Sequence, residues 1–296
     1  MLFVYKINMI TVKLKGGLGN QMFQYVTGLA VAFMRSQELK LDTTGYDDPR
    51  VINSDIPRKY GLYAFNISGS IATPEEVRKA RNPYGIFSRA FRFFSQKILK
   101  KYYVGYDSDF FRKNHKYIEG YFQSEKNFID IKEKVAKEFT LKKEFESDIF
   151  LTEKHKIDGT KSVSVHIRRG DYVDDPKTNS VHGVCSKEYY EKAMDLIRSK
   201  IDAPIFYFFS DDIEWVKKEF GECPDFKYVS RQDLKEYEEL ILMSVCVHNI
   251  IANSSFSWWG AYLNQNPDKI VVAPKKWVNI EFDPHPHITP ESWIRI

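Results

Sequence analysis

The 296-residue chain carries 44 Lys and Arg against 40 Asp and Glu, a formal +4 that is too small an excess for a binder of nucleic acid or another generic polyanion. Its length exceeds what one hydrophobic core usually serves, so two domains of about 150 residues each are expected. Only Cys185, Cys223 and Cys246 are present, an odd number without metal-ligand spacing, which argues against a disulfide framework or a zinc site and fits a reducing compartment.

The opening MLFVYKINMITVKLK places Lys6, Lys13 and Lys15 among its apolar residues and lacks a small-residue cleavage site, so it does not read as a signal peptide. No apolar run approaches the roughly 20 residues of a membrane span. A cytoplasmic protein, at most peripheral to a membrane, is expected. Residues 9–15, MITVKLK, alternate as a half-buried strand does, GGLGNQ at 16–21 interrupts, and Met22, Tyr25, Val26, Leu29 and Phe33 then recur at helical spacing. A strand, a Gly-rich turn and a helix N-terminus together offer backbone N–H groups to an anion. The other account of the turn is that Gly16, Gly17 and Gly19 serve conformation only. It is not the dinucleotide fingerprint G-x-G-x-x-G, which weakens the case for a Rossmann oxidoreductase.

ELKLDTT at 38–44 is the next strand, and residues 45–80 show turn signals without a clear period. Over 87–102, Phe87, Phe91, Phe94, Ile98 and Tyr102 form an apolar stripe beside Arg89, Arg92, Lys97, Lys100 and Lys101. Two readings stand: a surface helix packing its aromatic side, or a peripheral face for an anionic membrane. Residues 126–148 are charge-rich and read as helical, and HKIDGTK at 155–161 reads as the interdomain loop, giving domains 1–155 and 156–296.

Beyond that point the pattern is regular: VSVHI at 163, a helix over 187–200, IFYFFS at 205, a helix over 212–220, and FKYV at 226. A helix over 233–243, VHNIIA at 247, a helix from about 257 and KIVVAP at 269 complete it. Alternating strands and helices imply a parallel sheet covered on both faces. Each polar cluster follows a strand, and the crevice outside strand carboxyl ends is where such sheets bind ligands. His166, Arg168, Arg169 and Asp171 end the first strand, and adjacent guanidinium groups suit phosphate oxygens. The competing account pairs the arginines with Asp171, Asp174 and Asp175 to brace a loop.

Asp211 and Asp212 follow the second strand. Two adjacent carboxylates without further ligands make a poor Mg²⁺ site. One would cap the next helix, and the other would accept hydrogen bonds from sugar or ribose hydroxyls. Asn253, Ser254, Ser255, Phe256 and Ser257 lie where a strand turns into a helix. Hydroxyls and N-terminal amides there can hold phosphate oxygens, and three serines exceed what capping needs. Trp258 and Trp259 read as core.

Taken together, GGLGNQMFQY, HIRRGDY, FFSDD and NIIANSSFSWWGAYL resemble the motif set of the bacterial α-1,2-fucosyltransferases, glycosyltransferase family 11, in family order from residue 10 to about 275. The resemblance implies an α/β, GT-B-like architecture of two Rossmann-like domains facing each other across a cleft. It implies GDP-β-L-fucose as donor, held mainly by the C-terminal domain, an acceptor reaching in from the N-terminal one, inversion at the anomeric carbon, and neither metal nor cofactor. By that similarity Arg168 is the main β-phosphate ligand, Arg169 and Asp171 shape its loop, and His166 lies near the nucleotide. Gly17, Gly19, Asn20 and Gln21, the Asp211–Asp212 pair and the segment Asn253 to Ser257 are carried over as donor contacts. Glu239, in EELILMS, stands where these enzymes place an Asp that reads guanine N1–H and N2–H₂, a departure from the family pattern. Asp171, Asp174 and Asp175 are candidates for the general base, although a loose transition state could need little base. The implied acceptor is a galactose-terminated glycan, with a lipid-linked surface-polysaccharide precursor as one form. Another linkage or acceptor for the same donor, and a non-catalytic nucleotide-sugar or glycan-binding module, are the alternatives.

Overall fold

The structure, a computed structural model, describes residues 9–53, 57–82, 103–170, 180–181, 183–279 and 287–296. The chain divides into two units, one formed by Met1–Tyr63, Ile67–Glu138 and Pro284–Ile288, the other by Ala64–Asn66, Phe139–Asp283 and Thr289–Ile296.

The smaller unit contains β1 (Met9–Lys13), α1 (Leu18–Met34), β2 (Glu38–Asp42), β3 (Ser70–Ile71), α2 (Pro74–Arg81) and β4 (Tyr117–Ile118). Its four strands run parallel in the order β3-β2-β1-β4. Strand β1 is central, which is why Ile10 and Val12 are buried, and α1 covers it with Met22, Tyr25, Val26 and Leu29. The expected apolar stripe fails only at its end. Phe33 is 64% exposed because α1 outruns the strands and stops where the Arg35 guanidinium donates to the carbonyls of Lys113 and His115.

The larger unit begins with α3 (Asp148–Ile157) and continues through β5 (Ser162–Ile167), α4 (Lys187–Arg198), β6 (Ile205–Ser210), α5 (Ile213–Phe220) and β7 (Phe226–Tyr228). It ends with α6 (Glu236–Val245), β8 (His248–Ile250), α7 (Ser255–Leu263), β9 (Val271–Ala273) and β10 (Ile294–Arg295). Six parallel strands lie in the order β10-β9-β8-β5-β6-β7. All six residues of β5 are buried, as a strand covered on both faces requires. Val163, Val165 and Ile167 pack with Tyr190, Met194 and Ile197, the apolar stripe of α4, whose first turn Ser186 caps. Trp258 and Trp259 are core residues, as read from the sequence.

Two sequence expectations need correction. The stretch 126–148 is not one helix: Lys132–Glu138 is helical, and Phe139, in the turn that follows, and Leu141, bridged to Phe65, are core residues. The division of the chain also falls at residues 138 and 139 rather than near 155. Helix α3 belongs to the larger unit, because the Ser147 N–H that opens it donates to Glu238 of α6 at 2.9 Å and its Glu153 pairs with Arg231.

Candidate functional site

In the larger sheet the chain runs outward from β5 through β6 to β7, then returns to the other side of β5 for β8, β9 and β10. The carboxyl ends of β5 and β8 therefore flank a topological switch point, where the divergence of neighbouring loops opens a crevice. Arg168 and Arg169 leave β5 at this edge, and Asn253 to Ser255 leave β8.

The register pairs Ile167 with Ser210, so the residues that follow the two strands meet. Arg168 Nη1 lies 2.9 Å from Asp211 Oδ2, with about a fifth of the arginine side chain still exposed (21%). Asp211 also accepts the backbone N–H of Arg169 at 2.9 Å. Gly170 lets the carboxylate approach this closely, since a Cβ there would sit 2.5 Å from Asp211 Oδ2. Arg169 is held differently. Its Nε lies 3.3 Å from Asp212 Oδ2 and its guanidinium carbon stacks 3.6 Å from the ring centroid of Trp215, in the first turn of α5. Asp212 meanwhile caps α5 by accepting the Trp215 N–H, as expected of one member of the acidic pair. The arginines thus have carboxylate partners on the adjacent strand end, whereas Asp171, Asp174 and Asp175 lie outside the described residues.

Glu239, on the first turn of α6, completes the edge. It is hydrogen-bonded to Ser230, whose hydroxyl also accepts the Ser210 N–H at 2.9 Å. Burial pushes its carboxyl up to about 7, the Asp211 charge adds to that, and Ser230 opposes it. His166 is buried beneath Arg168, its ring 5.5 Å from that of Phe256. Burial first and the Arg168 charge second hold its pKa at about 3, so the imidazole is neutral, and Nδ1 has no hydrogen-bond partner.

The serine cluster is less available than its composition suggests. Ser254 Oγ accepts the Phe256 N–H as an N-cap, and Ser257 Oγ donates to the Ser254 carbonyl. Ser255, half-buried on the first turn of α7, is left beside the helix amides. Asn253 is a clamp, with Nδ2 donating to the carbonyls of Gly183 and Trp277. The Gly-rich turn belongs to the other unit. There Gln21 is fully buried and its amide spans the carbonyls of Gly16 and Lys59 and the Gly61 N–H, bracing the turn after β1. Gly17 stands at the N-cap of α1, Gly19 is buried in its first turn, and Asn20 Oδ1 accepts from Gln123. The basic stretch 87–102 lies outside the described residues. Among those described, no group of three His, Cys, Asp or Glu could hold a metal ion, and no helix is long and apolar enough to cross a membrane.

Sequence reasoning found the arginines and the acidic pair but missed Trp215 and Ser230. A tryptophan three residues after an acidic N-cap is a weak signal; Ser230 offered none.

Residues 83–296 match the family model described as Glycosyl transferase family 11. The sequence is 34% identical to an alpha-1,2-colitosyltransferase of Escherichia coli, over 98% of this chain and 99% of the relative. It is 32% identical to the O-antigen biosynthesis glycosyltransferase WbnK of Escherichia coli, over 96% of this chain and 99% of that one. Among solved structures, the fucosyltransferase NodZ from Bradyrhizobium aligns with a TM-score of 0.53 at 12% identity, covering 86% of this chain and 93% of its own. A NodZ alpha-1,6-fucosyltransferase soaked with GDP-fucose aligns with a TM-score of 0.51 at 14% identity, covering 87% and 93%. Two α/β units with parallel sheets flanked by helices have the GT-B fold of these neighbours.

Proposed function

The chain belongs to glycosyltransferase family 11, and from that premise we propose that it transfers L-fucose, with inversion, from GDP-β-L-fucose to the 2-hydroxyl of a terminal galactoside in a surface glycan of O-antigen type. The observation that carries the reading is Arg168, fixed by Asp211 at the switch point of the larger sheet. As the bond between the sugar and the β-phosphate breaks, negative charge grows on the phosphate oxygens. A guanidinium already held in place stabilises that charge without reorganising. The amides at the start of α7, with Ser255, add partial positive charge on the other side of the crevice. Glu239 accepts from guanine N1–H and N2–H₂, and neutral His166 with Phe256 packs against the nucleotide.

We propose no metal or cofactor in this scheme, since Arg168 supplies the charge that a divalent ion would otherwise supply. Transfer is then expected to survive EDTA, and loss of activity restored by Mg²⁺ or Mn²⁺ would sink the Arg168 account. A cytoplasmic location is proposed as well, consistent with three free cysteines. A second donor reading rests on the colitosyltransferase relative. Colitose is the 3-deoxy counterpart of fucose, and the two donors differ at one hydroxyl. Incubation with GDP-fucose or GDP-colitose and a panel of galactosides, followed by linkage analysis of the product, tests donor, linkage and catalysis together. A chain that binds GDP but releases none from either donor would be a binding module.

A further inference from the structure

The smaller sheet has a switch point of its own. In the order β3-β2-β1-β4, the chain moves from β1 to β2 and β3 on one side and returns to the other side of β1 for β4. The crevice outside the carboxyl ends of β1 and β4 is therefore the place where this sheet, taken alone, would receive a ligand.

The side chains gathered there are not those of a plain loop. Register aligns Thr11 with Tyr117 and Val12 with Ile118, so Lys13 comes beside Glu119, and Lys15 reaches Tyr121 beyond the strand ends. Lys13 Nζ is 3.1 Å from Glu119 Oε1, and both side chains are mostly covered. Lys15 Nζ lies 4.8 Å from the centroid of the Tyr121 ring. Behind them Gln123 Nε2 donates to Asn20 Oδ1 at 2.7 Å and ties the turn after β1 to the segment after β4. One lysine would neutralise Glu119. A second is nevertheless sunk beside it, and burial pulls Lys15 down to about 8 although the Glu119 charge opposes the shift. A desolvated ammonium beside an ion pair and an aromatic ring, at the edge where a parallel sheet receives ligands, makes this cluster a candidate site.

We propose that Lys15, Glu119 and Tyr121, at the carboxyl edge of β1 and β4, form a saccharide site that holds the sugar of the acceptor. The inference rests on the glycosyl-transfer reading for the word acceptor, but the site itself does not. The chemistry favours a neutral polyol over an anion. Glu119 accepts from hydroxyls and the ammonium groups donate to them, while the Tyr121 ring offers an apolar face to pyranose C–H groups. The carboxylate would repel a phosphate, and lysine lacks the planar fork of the arginines in the larger unit.

Saturation-transfer NMR with methyl β-D-galactoside and with lactose, titrated against the full chain in the presence of GDP, tests the site directly. Wild type should bind at least one of them, and Lys15→Met and Glu119→Gln should each weaken binding roughly tenfold, the effect of losing one charged hydrogen bond. Lys15→Arg should recover part of the loss. Circular dichroism and thermal melting check that each variant is folded; should Glu119→Gln fail there, Lys15→Met and Lys15→Arg carry the test. Galactoside binding that these variants lose supports the site even in a chain that transfers nothing, a result that sinks the transferase reading alone. Wild type that binds neither sugar, or variants that bind as wild type does, would overturn the proposal.

Discussion

The two sheets end in the same architectural feature and fill it with different cations. At the larger one the charge is guanidinium: Arg168 on Asp211, Arg169 between Asp212 and Trp215. At the smaller one it is ammonium: Lys13 on Glu119 and Lys15 over Tyr121, with burial drawing Lys15 down to about 8. Arginine stays charged under any burial a protein imposes, whereas lysine yields its proton when desolvated. A site that must meet a departing diphosphate needs the first. A site that needs only to order hydroxyl groups can use the second, with a carboxylate in its midst. The contrast shows how one arrangement of parallel strands around a switch point, used twice in a chain, acquires two chemistries through the residues at and just past the carboxyl ends of its strands.

The sharpest way to break this contrast is to put lysine where arginine stands. Arg168→Lys keeps the charge but loses the fork, and kcat at saturating donor should fall on the order of a hundredfold or more, the ~3 to 4 kcal/mol typical of one preorganised stabiliser. Arg169→Lys should be milder, because that side chain is already engaged by Asp212 and Trp215. A folded Arg168→Lys enzyme within about threefold of wild type would falsify the assignment, since the expected loss is far larger.

Glu239→Ala comes next, raising the KM for donor by about one to two decades with little change in kcat, because a guanine contact is equal in ground and transition states. The same residue predicts a pH effect. Its carboxyl titrates at about 7, so acidification protonates it and removes the acceptor, and donor KM should rise as pH falls through that value. Stability should not fall with it. The folded state binds this proton more tightly than the unfolded one, so the contribution to stability grows as pH drops through about 7. A donor KM flat from pH 8 to pH 6 would place Glu239 outside the guanine site.

Gly170→Ala should cost less. Its Cβ would lie 2.5 Å from Asp211 Oδ2, and the short aspartate must swing away from Arg168 to make room. The expected result is a kcat reduced roughly tenfold, in line with the ~1 to 3 kcal/mol of overpacking, while GDP still binds. Wild-type kcat in a folded variant would show that Asp211 does not set the position of Arg168.

How much of this was legible in the sequence depended on the distance over which each signal acts. Five of the six strands of the larger sheet appear within two residues of their expected starts, because runs such as VSVHI, IFYFFS and VHNIIA are rich in apolar residues and bounded by turn residues. Strands β3, β4 and β10 have two residues each and show no period. Helix α2 was missed although Thr73 and Glu76 form its capping box, since only Val77 and Ala80 are buried and the apolar pattern is thin. Residues 126–148 misled in the opposite way, because charge-rich sequence is compatible with helix without requiring it. At the site, the arginines announced themselves and their partners did not. Arg169 and Asp211 are 42 residues apart, Lys13 and Glu119 are 106 apart, and only strand register brings either pair together. The excess of serines was likewise a local count that could not foresee Ser257 bonding back to the Ser254 carbonyl.

The smallest effect expected is also the one that tests the contrast most directly, because it asks whether the second cation titrates. Lys15 is protonated at pH 7 and should lose its charge as pH rises through about 8, while Glu119 beside it, drawn down chiefly by Lys13 against the cost of burial, stays ionised. Tyr121, pushed up by burial, stays neutral. If Lys15 donates to an acceptor hydroxyl, the KM for galactoside should climb between pH 7 and pH 9 by a few-fold, about the difference between a charged and a neutral donor. Stability again moves the other way. Below its unfolded pKa the lysine binds its proton more weakly in the fold than in the open chain, so its contribution to stability rises with pH from about 8 upward. A growing KM without a falling Tm is therefore the signature. In Lys15→Met the acceptor KM should be raised at pH 7 and flat from there to pH 9. A wild-type profile as flat as the variant's would mean that Lys15 braces the turn after β1 and touches no sugar.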